Sequence, residues 1–442
     1  MTPVAEGQDT FRAELGRFES GRGEAAPAWL KGVRARGREA FEQAGFPTTR
    51  QEEWRFTNVS PIATTPFRLA EGIPTNAAAM VARVAVPGSG RLVLLNGRFA
   101  PELSDLNGLP VGLKIGSLAA AMASGAPECS LLGQQPVEGQ PFAALNTAFL
   151  EDGALIAIRK GAAIETPVHV VIITGGTGRT MVHPRVLIAA GPGSQADVAV
   201  SFLTTAGEAH FTNAVIEASL AEGAIVNCCL DQRGTEGSFL VSNVHIKAEK
   251  DSSFKLRTIT VGGRLVRNDA VAVLAGEGAH VDLDGCYLAD GSSLVDNHTT
   301  IDHAMPNCTS HELYKGLLDG KAKAVFNGRI IVRLDAQKTD SKQTNRALLL
   351  SDEATINSNP QLEIFADDVK CTHGAAVGQL DDEAMFYLRA RGLSVKDARD
   401  MLIHAYAGEV LERISIPALR AQLERALFRQ LDRDLAEHDQ GK

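Results

Sequence analysis

The stretch NAVIEASLAEGAIVNCCL, residues 213–230, sets two short, β-branched apolar runs on either side of Ala-Glu-Gly. Alternation of side chains with a period of two, broken by a small polar turn, is the pattern of consecutive strands. The same pattern extends in both directions through HVVIITGG (169–176), RVLIAAG (185–191), NVHIKAEKDSSFKLRTITV (243–261) and AVAVLAGEGAHVDLDGCYL (270–288). Four turn-plus-strand segments resemble one another: PGSQADV, EGAIVNC, KDSSFKL and EGAHVDL, headed by Gly193, Gly223, Ser252 and Gly278. Their spacings of 30, 29 and 26 residues suggest stacked β units, each coil covering the one before, with Gly or Ser at the sharp corners. A β-sandwich with regular hairpins is the other arrangement compatible with this texture.

The flanks read differently. DTFRAELGRFES (9–20) and PAWLKGVRARGREAFEQAG (27–45) carry apolar residues at helical spacing, with Pro27 near one start and Gly45 and Pro47 at the end. Residues up to about 160 are mixed, and strand texture dominates to about 380. After that, Asp381 can cap DEAMFYLRAR, Gly392 can end it, Ser394 and Asp397 form a capping-box-like start, and Pro417 suits the first turn of a last helix. Leu419, Leu423, Leu427, Leu431 and Leu435 recur every four residues there. Such a stripe packs against its own domain or against a partner. The expected organisation is 1–160 helical and mixed, 161–380 β core, and 381–442 helical.

Composition excludes several functions. The 442 residues are 44% hydrophobic and 22% charged, enough for a sizeable core and too apolar for global disorder. A formal charge of −9 disfavours a broad nucleic-acid surface. No apolar run reaches the length of a membrane span, and MTPVAEGQDTFRAELGRF lacks a secretory layout, so a cytoplasmic chain is expected. Its six cysteines are then expected to be reduced, and none lies in a C-x-x-C pair. No phosphate-binding G-x-x-x-x-G-K-[ST] loop occurs.

Three constellations could carry chemistry. Cys371 and His373 stand two apart, so on a strand they share a face and could converge on iron, on sulfur, or on one another as a dyad. The other reading is a structural thiol beside a solvent-facing histidine. His298, His303, Cys308 and His311 lie within 14 positions and could hold a metal, although alternation scatters such clusters over two faces. Asp282 and Asp284, again two apart, could act as the paired carboxylates of a carbohydrate-active β-helix enzyme. Few aromatics for stacking sugars, at 5% of residues, weigh against that alternative.

Two long segments, HELYKGLLDGKAKAVFNGRIIVRLDAQKTDSKQTNRALLLSDEA (311–354) and NSNPQLEIFADDVKCTHGAAVGQLDDEAMFYLRARGL (357–393), resemble the hallmark of the SufB/SufD iron–sulfur cluster assembly family. GFPTTRQEEWRFTNVSPI (45–62), with Glu53, Trp54 and Thr57, is similar to a SufD segment. CTHGA in place of E-H-E-A, and the absence of a cysteine near NPQLEI, favour the SufD branch. The resemblance implies a mainly β protein, a right-handed parallel β-helix core flanked by α-helical N- and C-terminal regions. It implies a non-catalytic scaffold that pairs with a SufB-like paralogue and docks a SufC-like ATPase, with a homodimer possible for the chain alone. It further implies transient iron or an iron–sulfur cluster at Cys371 and His373, a possible flavin on the complex, and a C-terminal ATPase-docking helix with Leu423, Leu427 and Leu431.

Overall fold

The computed structural model describes residues 3–440 except 25, 135, 136 and 138, with the side chains of 3–8 and 432–440 left aside. Its centre is a parallel β-solenoid of about eight turns. Each coil contributes one strand to each of two sheets, of 11 and 10 strands. In the first sheet the C-terminal half stacks as Ser238–Ala248, Leu265–Leu274, Leu294–His303, Lys323–Val332 and Thr355–Ile364. In the second it stacks as Ile225–Arg233, Ser253–Val261, His280–Ala289, Thr309–Leu318, Asp340–Leu349 and Lys370–Gly378. Strands upstream of residue 161, including Gly90–Leu95 and Gly153–Ile158, join the same two sheets.

Register explains the repeat. Ile225 pairs with Gln195, Ser253 with Ile225 and His280 with Ser253, so coils close after 30, 28 and 27 residues. Six strands of the second sheet, starting at residues 195, 225, 253, 280, 309 and 340, begin two positions after a residue in the left-handed region: Gly193, Gly223, Asp251, Gly278, Asn307 and Lys338. The corner expected at Ser252 therefore turns on Asp251. The amide of each such residue donates to a carbonyl of the next coil's corner, as in Gly193 to Glu222, Gly223 to Lys250, Asp251 to Glu277, Gly278 to Pro306, Asn307 to Gln337 and Lys338 to Asp368. The corners thus form a ladder of their own, and each left-handed turn is held by the coil above it. Non-glycine residues with positive φ are uncommon, with Asn and Asp the most tolerant, so the Lys338 corner depends most on that support.

Alternation sorts each strand into a lumen face and an outer face. Val281, Leu283, Tyr287, Tyr314 and Leu318 belong to the apolar filling of the lumen. Residues of opposite parity, such as Leu288, Leu313 and Leu317, face outward. The N-terminal region covers the first sheet's outer face with an aromatic layer in which Phe46, Trp54, Phe142 and Phe211 meet in ring contacts.

The C-terminal helices Val395–Leu411 and Pro417–Gln440 cover the second sheet's outer face. The leucine stripe is spent there. Leu419, Leu423, Leu427 and Leu431 are buried with Ile259, Val261, Leu288, Leu313, Leu317 and Leu348. Leu423, Leu427 and Leu431 therefore face the chain's own solenoid and not a partner; the Leu435 side chain lies outside the described residues. The helix starts are as the sequence predicts. Asp381 accepts from the amides of Glu383 and Ala384, Ser394 from that of Asp397, and Gly392 has φ +94°.

Candidate functional site

The solenoid ends abruptly. Among the described residues, Thr355–Ile364 and Lys370–Gly378 are terminal strands of their sheets, each paired on one side only. Burial falls away with them. The strand Lys323–Val332 is mostly buried, whereas no residue of the final two strands is, and the helix Asp382–Ala390 that follows buries none either. Ile364, Phe365, Val377, Phe386 and Tyr387 are exposed around this end.

Cys371 and His373 sit on the last strand and share a face, as the spacing predicts. That face is the lumen. Cys371 continues the in-register column Val226–Phe254–Val281–Ser310–Ser341, and His373 continues Cys228–Leu256–Leu283–Glu312–Gln343. Both columns are apolar for three coils and polar for the last three. Gln343 donates to Glu312 at 2.6 Å. Ser341, Ser310 and His303 form a chain of hydrogen bonds at 2.8 and 2.9 Å. Burial pushes the Glu312 carboxyl up to about 7 and the His303 imidazole down to about 4. Sequence spacing could not have found Glu312, because it reaches the site through a register between coils.

Cys371 is partly buried against Ile330, Val332 and Ala366. Burial, aided by the Asp340 carboxylate, raises its thiol above the ordinary range despite the opposing pull of the Ser341 backbone. It is therefore a thiol at neutral pH until a metal or a positive group displaces the proton. His373 is exposed at the mouth.

The other candidates fall apart or take different roles. His298 and His311 lie on the outer faces of different sheets, His303 points into the lumen, and Cys308 donates to the Gly276 carbonyl, so these four form no single site. Asp282 and Asp284 do share a face, but Asp284 is fully buried between Arg257 and Arg413, at 3.1 Å from each. A carboxylate so enclosed is not offered to a sugar.

Glu53, Trp54 and Thr57 dock the N-terminal region onto the first sheet. The Arg267 guanidinium lies 3.6 Å from the Trp54 ring centroid and donates to the Glu53 carbonyl at 2.9 Å and to Asp296 at 2.6 Å. Thr57 donates to Asp296 at 2.5 Å, and His298 bridges Asp296 and Glu53 at 3.0 and 3.2 Å.

Residues 171–406 match the family described as SUF system FeS cluster assembly, SufBD core domain, and residues 22–170 match the SufBD protein N-terminal region. The chain is 33% identical to an iron–sulfur cluster assembly SufBD family protein of Synechocystis over 394 residues, covering 86% of this chain and 87% of the relative. It is 30% identical over 390 residues to the iron–sulfur cluster assembly protein SufD of Escherichia coli, covering 86% and 88%. The SufD of Bacillus subtilis is 24% identical over 429 residues, covering 92% and 94%.

Proposed function

The chain belongs to the SufBD family of iron–sulfur cluster assembly proteins, and from that premise we propose that it is a non-catalytic scaffold subunit, a SufD homologue whose open solenoid end pairs with a SufB-like paralogue. The observation that carries the reading is the uncapped last coil. Among the described residues, the outer edges of its two strands meet no pairing strand, a liability that proteins otherwise cover or blunt. Addition of a partner's strands covers those edges, and Ile364, Phe365 and Val377 supply apolar contact beside them. Pairing there encloses Cys371 and His373 in the joint, where thiolate and imidazole hold iron or a nascent cluster. Imidazole is a weaker cluster ligand than a fourth thiolate, which suits a scaffold that must release what it builds.

The ATPase-docking surface is the exposed face of the helical tail. Phe386 and Tyr387 are 76% and 56% exposed, and Met401 half exposed, on the helices Asp382–Ala390 and Val395–Leu411. The docking contact draws on these residues, since the leucine stripe is already buried.

Co-expression with the SufB-like and SufC-like proteins tests both surfaces. Phe365→Asp with Val377→Asp should abolish pairing with the paralogue while the isolated chain stays folded. His373→Ala and Cys371→Ser should leave the complex assembled with reduced iron and sulfide. Undiminished iron and sulfide in both variants excludes the ligand role. A second copy of the chain can use the same edges; light scattering on the chain alone, across a concentration series, measures that.

A further inference from the structure

On the outer face of the second sheet, one coil and the next bring His280, Asp282 and His311 together. Among the described residues they are the one set of three such side chains whose ligand atoms all lie within 4.8 Å of one another. His280 and Asp282 are on the strand His280–Ala289, and His311 is directly opposite Asp282 on Thr309–Leu318. Asp282 Oδ1 lies 2.9 Å from His280 Nε2 and 3.4 Å from His311 Nδ1. Donors about 2.0–2.1 Å from one ion stand about 2.9–3.4 Å apart across octahedral to tetrahedral angles, so both separations suit shared coordination. The same Oδ1 is buried and makes no aligned hydrogen bond with the protein.

The surroundings orient this set. His280 Nδ1 is hydrogen-bonded to Thr309 Oγ1 at 2.7 Å, which fixes the ring and turns Nε2 to Asp282. Histidine ligands are commonly oriented by such a partner. Arg257 donates to Asp282 Oδ2 at 3.3 Å, leaving Oδ1 toward the histidines. The His311 side chain is 47% exposed, so solvent reaches the site. Lys255 and Lys342 flank Asp282 and His311 in register. One carboxylate among cationic neighbours disfavours calcium or magnesium, which want several oxygen ligands, whereas two imidazoles and a carboxylate suit iron(II), zinc or cobalt(II).

We propose that His280, Asp282 and His311 form a site for a divalent first-row transition ion, separate from Cys371 and His373. The separation is topological: the His311 column ends on Thr372, which points away from the lumen. The inference does not depend on pairing at the open end.

Cobalt(II) is the probe. The full chain, stripped of metal with a chelator, is titrated by calorimetry and by visible absorption. One equivalent should bind to the wild type and to Cys371→Ser/His373→Ala, with nitrogen-ligated d–d bands. His311→Ala and Asp282→Asn should each weaken binding at least tenfold, with unchanged circular dichroism showing that the fold persists. Unchanged affinity in both of those variants overturns the site, as does the absence of stoichiometric binding to the wild type, or loss of binding only in Cys371→Ser/His373→Ala. Loss of cluster content in the complex of the latter double variant, with cobalt binding to it intact, separates this site from the proposed cluster site.

Discussion

Cys371 and His373 owe their shared face to strand geometry, but their environment to the coils beneath. The raised Cys371 thiol gives a direct measurement. The thiolate is the reactive form, so alkylation by iodoacetamide should be slow at pH 7 and rise through a midpoint above that of a free thiol. The Asp340→Asn variant, which removes the carboxylate that helps raise the thiol, should move that midpoint down. An unmoved midpoint places the cause in burial alone. The other cysteines are buried and should react only on unfolding. That the pair shares a face was legible from its spacing of two. That the face is the lumen was not, because lumen and exterior alternate identically and only neighbouring coils distinguish them. The His280–Asp282–His311 set was invisible for the same reason, since its members join across a coil and not along a strand.

At the level of elements, the C-terminal helices are part of the core. Deleting everything after Gly392 would uncover Ile259, Val261, Leu288, Leu313 and Leu317, so the truncated chain should aggregate and not persist as a bare solenoid. Leu423→Ala should cost about 2–5 kcal/mol in urea unfolding, the range for a buried leucine, and a near-neutral result would refute its burial. Phe386→Ala with Tyr387→Ala should leave stability within about 0.5 kcal/mol and weaken capture of the ATPase. The sequence showed the stripe clearly but not its host, because amphipathicity records that a face is covered without recording by what. Likewise the turn signal was plain where glycine fills the corner, at Gly193, Gly223 and Gly278. It was displaced by one residue at Asp251, where Ser252 reads as the corner, and was not legible at Asn307 and Lys338; the left-handed backbone of all three is held by their amides donating to carbonyls of the neighbouring coil.

Across the whole molecule, the N-terminal region is latched to the solenoid by charge as well as by aromatic packing. Burial works against the charged form of His298, yet Asp296 raises it to about 9; burial also opposes Asp296, yet Arg267 and His298 hold that carboxyl down to about 2. The signs follow. The His298 contribution is complete below its ordinary value of 6.5 and is lost as pH rises through about 9; the Asp296 contribution is present above 3.8 and is lost as pH falls through about 2. Thermal stability, and the emission of buried Trp54 in a Trp29→Phe background, should therefore be greatest between these limits and decline from pH 7 to 9. His298→Gln should flatten the alkaline limb. A limb unchanged in that variant would assign it to another group.

The coils behave as a stack of coins, each held by two neighbours except the last, which has one. Its lumen columns are polar over the final three coils, so the terminal contacts are also the ones water can best replace. Fraying should start at Lys370–Gly378 and travel inward as far as Thr309–Leu318 before it meets the dry columns. A partner at the open end acts, in these terms, as one more coin. Backbone amide exchange should be fastest in the last coil of the isolated chain and slow on pairing as far inward as Ser310 and Glu312, residues the partner never touches.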